Sequence, residues 1–480
     1  MLPVLGLALL AGIVRVPTLA EQSFWLDEGY TERLVRMSFG GMLHAIPISE
    51  STPPLYYAVA WCWTRLFGYS EFALRSLSAL AGILTVLFVF ALTVRLAGRK
   101  AGLLAGILVA SSPLLIWYSQ EARAYALATC LSTLSLLCFV GFRDTRARGW
   151  LTGWTISAAL GLATHYFVAF VVGPELAWLL WRCRQDRRVL AAGAVVLATA
   201  VALAPLALAQ RGTGHADYIS QGSLTTRLLQ IPKQFLTGYA TPSQTISSVL
   251  AALLVAFALL RVLRRYRERV AKRAMIPLAV GVAGVLLPVL LALVGVDFLN
   301  TRNVLPALPP LLVVVAIGFA TLASRRATVA AAGALGLVFV VVVALVDTNP
   351  RYQRDNWRGA SDALGTASQP RAIVVTPGSG LIPLEIYQPN LRPLRRATVT
   401  QLDVVAIPGQ VLGGGIATPP RLQGPLAVPV GFRLTRVTYA STYTVVRFTA
   451  TAPVAVTPAS LASVHLGTGG ATDLIQQARP

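Results

Sequence analysis

Apolar residues fill long windows along the first 346 positions, and most charged residues fall in the gaps between them. A window of roughly 17 to 25 apolar residues, coiled as an α-helix, matches the hydrocarbon thickness of a bilayer. Such windows lie near 2–20, 74–94, 101–118, 124–142, 150–164, 166–181, 189–209, 245–263, 274–296, 304–323 and 327–346. The pattern predicts an α-helical polytopic membrane protein of about eleven transmembrane helices. The first window has no basic segment before it and no small-x-small site before Glu21, so it reads as a span, not as a cleaved leader.

Two windows are short. Those at 150–164 and 166–181 share the apex Thr164-His165-Tyr166, and each leg is only about 22 Å long at 1.5 Å per residue. A 30 Å core would leave that apex below the membrane surface, where polar groups line an enclosed cavity.

The first long connector, 21–73, is polar enough to lie outside the bilayer, with room for two short interfacial helices. Leu34, Val35, Met42, Leu43 and Ile46 give one of them a partial apolar face. Thr52 before Pro53 reads as the N-cap of a second helix that ends at Gly68. After Val346 the pattern changes to short alternating runs broken by Pro and Gly. Strands are expected at Ala372–Thr376, Asp403–Ile407, Arg433–Tyr439 and Tyr443–Thr449, and a helix at Asn356–Leu364. The chain thus divides into a transmembrane domain, 1–346, a small C-terminal α/β extracytoplasmic domain, 347–452, and a disordered tail, 453–480.

Composition agrees with the pattern: 55% of the 480 residues are hydrophobic and 12% charged. The net charge of +22 raises a nucleic-acid reading, but the placement of the charge answers it. Alternate connectors, such as 143–148, 182–188 and 261–273, together hold nineteen basic residues against Asp144, Asp186 and Glu268. Short basic loops stay in the cytoplasm, so the charge encodes topology and no nucleic-acid partner is expected. The N-terminus is then inside and the C-terminal domain outside. The four cysteines include no C-x-x-C pair, and no histidine has metal-ligand spacing.

The arginines place the remaining connectors on the outer face, and every candidate for chemistry falls there. Acids at a membrane edge are costly and usually retained for function. Asp27 and Glu28 lie in Phe24-Trp25-Leu26-Asp27-Glu28-Gly29-Tyr30, as a proton acceptor and its neighbour, against the alternatives of a helix N-cap for Asp27 and a water-facing Glu28. Glu121 and Arg123 are either a local ion pair or a functional carboxylate with a planar fork suited to an anion. Arg75 and Arg302 are further phosphate candidates that otherwise snorkel to headgroups. His165 stands at the sunken apex, and Tyr166, Tyr56 and Tyr57 are substrate contacts or interfacial aromatics. The rival class is a transporter or flippase of a lipid-linked sugar. Internal repeats and midplane charges would mark it, and neither is visible.

Phe24–Tyr30, Thr52–Tyr57, Leu66–Glu71 with Ala73-Leu74-Arg75, Ser119–Tyr125 and Thr164–Phe167 occur in an order and spacing that resembles the bacterial family 39/83 glycosyltransferases. These are C-type membrane glycosyltransferases, related to protein O-mannosyltransferases and the lipid A aminoarabinose transferase. The resemblance spans roughly residues 1–320. It implies the C-type glycosyltransferase fold in the bacterial cytoplasmic (inner) membrane. It also implies an inverting transfer from a polyprenyl-phosphate-linked sugar donor to a lipid, glycan or protein acceptor. Asp27 would be the base, Glu121 the second acid and Arg123 a phosphate ligand. Many relatives place His or Lys before the paired prolines; Ser51 and Thr52 stand here, which removes a basic contact from that position. The resemblance leaves room for a divalent cation between Asp27 or Glu28 and the phosphate, and names no other cofactor.

Overall fold

The structure, a computed structural model, describes residues 2–408, 418–467 and 470–477. It divides into two compact units: residues up to 19 with 34–345, and residues 20–33 with those from 346 onward.

The first unit is helical. Among the described residues, six helices are long and apolar enough to span a bilayer: Glu71–Ser111, Tyr125–Thr145, Arg187–Gly212, Gln244–Arg264, Arg269–Leu293 and Arg325–Asp347. The windows expected at 74–94 and 101–118 are two helices that meet at a non-helical break at Gly98, whose φ of 85° suits a residue without a Cβ; a Cβ on Gly102 would stand 3.1 Å from the Phe90 carbonyl, so the second helix turns back along the first. The window expected at 2–20 is helical only over Leu2–Ile13. Beyond it the buried Arg15 donates to the carbonyls of Ala110, at 2.8 Å, and Val109, at 3.3 Å. It thereby satisfies the orphan acceptors at the end of Glu71–Ser111. Tyr125–Thr145 is the core helix and packs between Glu71–Ser111 and Arg148–Thr164.

The two short legs are present as Arg148–Thr164 and Ala169–Arg182, joined through His165 and a single 3-10 turn. The first external connector forms three helices, Leu26–Arg36, Phe39–Ser49 and Leu55–Phe67, where two were expected. Thr52 is not the cap of the third. That helix begins after Pro54 with no side-chain cap, and the Thr52 hydroxyl bonds the Tyr57 hydroxyl at 3.0 Å.

The second unit is built on one six-stranded sheet. Its strands are β1 (Arg371–Thr376), β2 (Leu391–Pro393), β3 (Ala397–Ala406), β4 (Phe432–Tyr439), β5 (Thr444–Val456) and β6 (Thr472–Gln476), in the order β2-β6-β1-β3-β5-β4. β1 and β3 are parallel, from Arg371 opposite Gln401 to Thr376 opposite Ala406. The period-2 alternation sends Ile373 and Val375 to one face, with Trp357, Leu364 and Leu384 of two short helices. Ala372 and Val374 go to the other face, with Val404 and Phe448. In the sheet, fully buried Asp403 accepts from Arg371 at 3.0 Å and Arg447 at 2.7 Å, and Arg371 also bonds Gln476 of β6.

Two boundaries differ from expectation. Residues 20–33, with the acidic motif, cluster with the C-terminal unit and not with the spans. The stretch expected as a disordered tail carries the end of β5 and β6, which lies between β1 and β2. A five-residue strand broken from its neighbours by glycines has too little periodicity to be seen alone.

Candidate functional site

The acidic motif opens the helix Leu26–Arg36. The first intrahelical bond runs from Gly29 N–H to the Trp25 carbonyl at 2.9 Å, which makes Trp25 the cap residue. Asp27 therefore lies inside the first turn, and the N-cap reading is excluded. Glu28 is fully buried, which also removes its water-facing reading, and its Oε2 accepts from Trp25 N–H at 3.5 Å. This is the reach-back half of a capping box. Asp27 remains partly exposed. The helix N-terminus favours both negative charges. Asp355, in the same unit, is raised to about 6, chiefly by burial and further by the charge on Asp27.

In the helical unit, the structure gathers Arg123, Tyr57 and a residue that the sequence reading passed over, Glu50. Glu50 is buried, and its Oε2 meets Arg123 Nη2 at 2.9 Å and the Tyr57 hydroxyl at 2.5 Å. Its Oε1 is buried with no hydrogen-bond partner among the described residues. The Arg123 guanidinium also lies 5.8 Å from the Tyr57 ring centre. Burial beside Glu50 pushes the Tyr57 hydroxyl well above its ordinary pKa. The available signal for Glu50 was its place three residues before Pro53, as an acid in a chain with only 19.

A second set adjoins Arg123 through His165. The His165 ring lies 5.5 Å from Tyr125, and Arg302 stacks on Tyr125 at 5.7 Å and on Tyr218 at 5.8 Å. His165 Nδ1 accepts from Phe167 N–H at 3.2 Å. Arg302 and Arg123 are both charge neighbours of His165. Glu121 is buried in the tight turn that sets Arg123, where Arg123 N–H donates to the Glu121 carbonyl at 2.8 Å. Glu121 and Arg302 are both charge neighbours of Tyr118, whose ring is 5.1 Å from Tyr125. Arg302 is held by the loop around it: Asp297 takes a bidentate pair from Arg227 at 2.5 and 2.6 Å, and Arg227 also donates to the Leu299 carbonyl.

Arg75, Tyr56 and Tyr166 have partners of their own. Arg75 is buried and donates to the Leu19 carbonyl at 2.9 Å. Tyr56 is buried edge-on against Tyr57, with ring centres 5.6 Å apart, and is not an interfacial aromatic. Tyr166 donates to Gln210 Oε1 at 2.8 Å, and Gln210 Nε2 donates to the Thr52 carbonyl at 3.0 Å. Among the described residues, no three His, Cys, Asp or Glu side chains converge as metal ligands. Two guanidiniums with hydroxyls and an imidazole beside them suit an anion, since the planar fork matches phosphate geometry.

Residues 51–209 match the family model for dolichyl-phosphate-mannose-protein mannosyltransferase. An uncharacterized protein from Aquifex aeolicus (strain VF5) is 32% identical over 133 residues, 27% of this chain and 29% of that one. The chain thus matches less than a third of that relative's length. ArnT from Cupriavidus metallidurans shares the fold with a TM-score of 0.54 and 16% identity, over 80% of this chain and 84% of that one. The same values hold for ArnT bound to undecaprenyl phosphate. The family and the fold neighbours are glycosyltransferases, and the chain is a multi-span membrane protein like ArnT. By the family model over residues 51–209 and by shared fold, the chain is similar to the C-type membrane glycosyltransferases of the protein-mannosyltransferase and ArnT-like group.

Proposed function

We propose that this protein transfers one sugar, with inversion, from a polyprenyl-phosphate carrier to an acceptor hydroxyl at the outer face of the bacterial inner membrane. The observation that carries the reading is the Glu50–Tyr57–Arg123 cluster, with His165 and Arg302 beside it. An arginine braced by a carboxylate keeps its planar fork oriented, and Arg302 adds a second positive charge. These groups would hold the carrier phosphate and stabilise the charge that grows on it as the bond breaks. The unpartnered Glu50 Oε1 calls for a donor from outside the chain, and a sugar hydroxyl supplies one.

Asp27 would take the proton of the acceptor hydroxyl. The acceptor oxygen then bonds to the anomeric carbon, the bond from that carbon to the phosphate oxygen breaks, and polyprenyl phosphate leaves with the electron pair. The phosphate is a good leaving group, so no second, protonated carboxyl is required, unlike in glycoside hydrolysis. The acceptor, whether lipid, glycan or protein, need only present a hydroxyl.

The test is transfer by purified protein supplied with a panel of labelled polyprenyl-phosphate sugars. Asp27→Asn keeps the size of the side chain and cannot take the proton. It should bind donor normally and lose roughly 10² to 10⁴-fold in rate, equivalent to about 3 to 5 kcal/mol of barrier. Near-normal turnover in Asp27→Asn would end the assignment.

A further inference from the structure

The segment before Asp27 is bonded residue by residue to the C-terminal part of its own unit. Gln22 Oε1 accepts from Arg354 N–H at 3.1 Å. Ser23 Oγ donates to the Asp355 carbonyl at 2.7 Å and accepts from Trp357 N–H at 3.0 Å. Phe24 N–H donates to the Tyr387 hydroxyl at 2.7 Å. Three consecutive residues are thus fixed from three directions, and Ser23 and Phe24 are buried. On the helix itself, a Cβ at Gly29 would stand 3.0 Å from Ile382 Cγ2 and 3.5 Å from Pro383 N, so the helix seats directly on the turn that opens Leu381–Tyr387.

These contacts have a pattern that packing alone does not demand. A spanning helix needs only an apolar face to be anchored. Here the residues leading into the first turn are held by directed hydrogen bonds, through the Gln22 and Ser23 side chains and the Phe24 N–H, which set both the position and the rotation of that turn. Asp27 is its second residue. Ser23 is the centre of the arrangement, since its hydroxyl uses donor and acceptor together on two backbone groups of one loop. Asp355 of that loop lies near enough to feel the charge on Asp27.

We propose that the C-terminal domain is a mount for the acid helix, with Ser23 as the positioning residue that sets where the Asp27 carboxylate points. The inference rests on the reading of Asp27 as the base. Its physical basis is that proton transfer and attack tolerate little misplacement, and a shift of about 1 Å can cost about 10²-fold. The phosphate-holding groups named above belong to the other unit, so a fault in this mount should alter transfer and spare donor binding.

The experiment uses the full-length protein in lipid nanodiscs. It measures donor affinity, single-turnover transfer and thermal midpoint for Ser23→Ala, Tyr387→Phe, Asp27→Asn and the Ser23→Ala/Asp27→Asn double variant. Ser23→Ala should lose roughly 10 to 100-fold in transfer, with donor affinity within twofold of the parent. Tyr387→Phe, which keeps the ring and drops one bond, should lose less in the same direction, and it serves if Ser23→Ala does not fold. In the Asp27→Asn background, Ser23→Ala should cost nothing further, because no base remains to be misplaced. Transfer within twofold of the parent in both single variants overturns the proposal. So does an equal loss from Ser23→Ala with and without Asp27. If Asp27→Asn itself turns over normally, the base assignment fails first and the mount falls with it, a result distinct from the other two.

Discussion

Asp27 and Glu28 are adjacent in sequence and opposite in circumstance. Glu28 is buried against the N–H of Trp25, while Asp27 keeps access to solvent. A proton acceptor needs a path to its substrate, so the exposed member is the one suited to the chemistry. Arg123 is suited to geometry more than to charge. Arg123→Lys keeps the cation and loses the fork shared with Glu50, and donor affinity measured by equilibrium binding should fall roughly tenfold or more. An unchanged affinity in that variant would remove Arg123 from the phosphate site. Asp355 gives a pH prediction. Its pKa is raised from 3.8 to about 6 in the folded protein, so the folded state holds a proton that the unfolded chain releases earlier. The associated stability is complete below about pH 4 and lost as pH rises through about 6. The stability of the parent should therefore fall relative to that of Asp355→Asn across that window, by roughly 3 kcal/mol at most, and its thermal midpoint should fall with it. Parallel curves would show that Asp355 does not titrate in this way.

At the scale of elements, β6 is the strand whose loss should matter most. It lies inside the sheet with β2 on one side and β1 on the other, and Gln476 bonds both Arg371 and Gln388. Removing residues 470–480 would leave β2 without a partner, expose one edge of β1, and leave the buried Arg371–Asp403 pair short of an acceptor, a change of several kcal/mol. The truncated protein should insert and yet lose protease resistance in its C-terminal domain under limited proteolysis. A digestion pattern like that of the parent would mean that β6 is dispensable. The helical counterpart is the pair Arg148–Thr164 and Ala169–Arg182. Their shortness puts a turn with His165 beside Tyr125, where a full-length span would have carried it elsewhere.

For the whole molecule, topology follows from the arginine clusters in alternate connectors. Reporter fusions at Leu263 and just after Val346 should report opposite sides of the membrane, the first cytoplasmic and the second external. The same side for both would break the assignment of all site residues to one face. The likeness to the mannosyltransferase family over residues 51–209 and the fold shared with ArnT do not depend on that experiment.

Much of this was legible along the chain. Apolar runs must be buried in lipid or core, so their length and the arginines between them announce spans and sidedness. The alternation in β1, β3, β4 and β5 announces a sheet for the same reason, because one face of each strand must be covered. Asp27, Arg123 and His165 stood out as polar groups where polarity is costly. Glu50 did not, because its meaning comes from Arg123, seventy-three positions later, and nothing local records that pairing. Nor could the sequence tell that residues 20–33 pack with those after 346, or that 472–476 is an inner strand. Periodicity reports which face of a segment is apolar, and it carries no information about which distant segment covers that face. That choice is made only when the chain closes on itself, and here it decided what holds the acid and what holds the arginine.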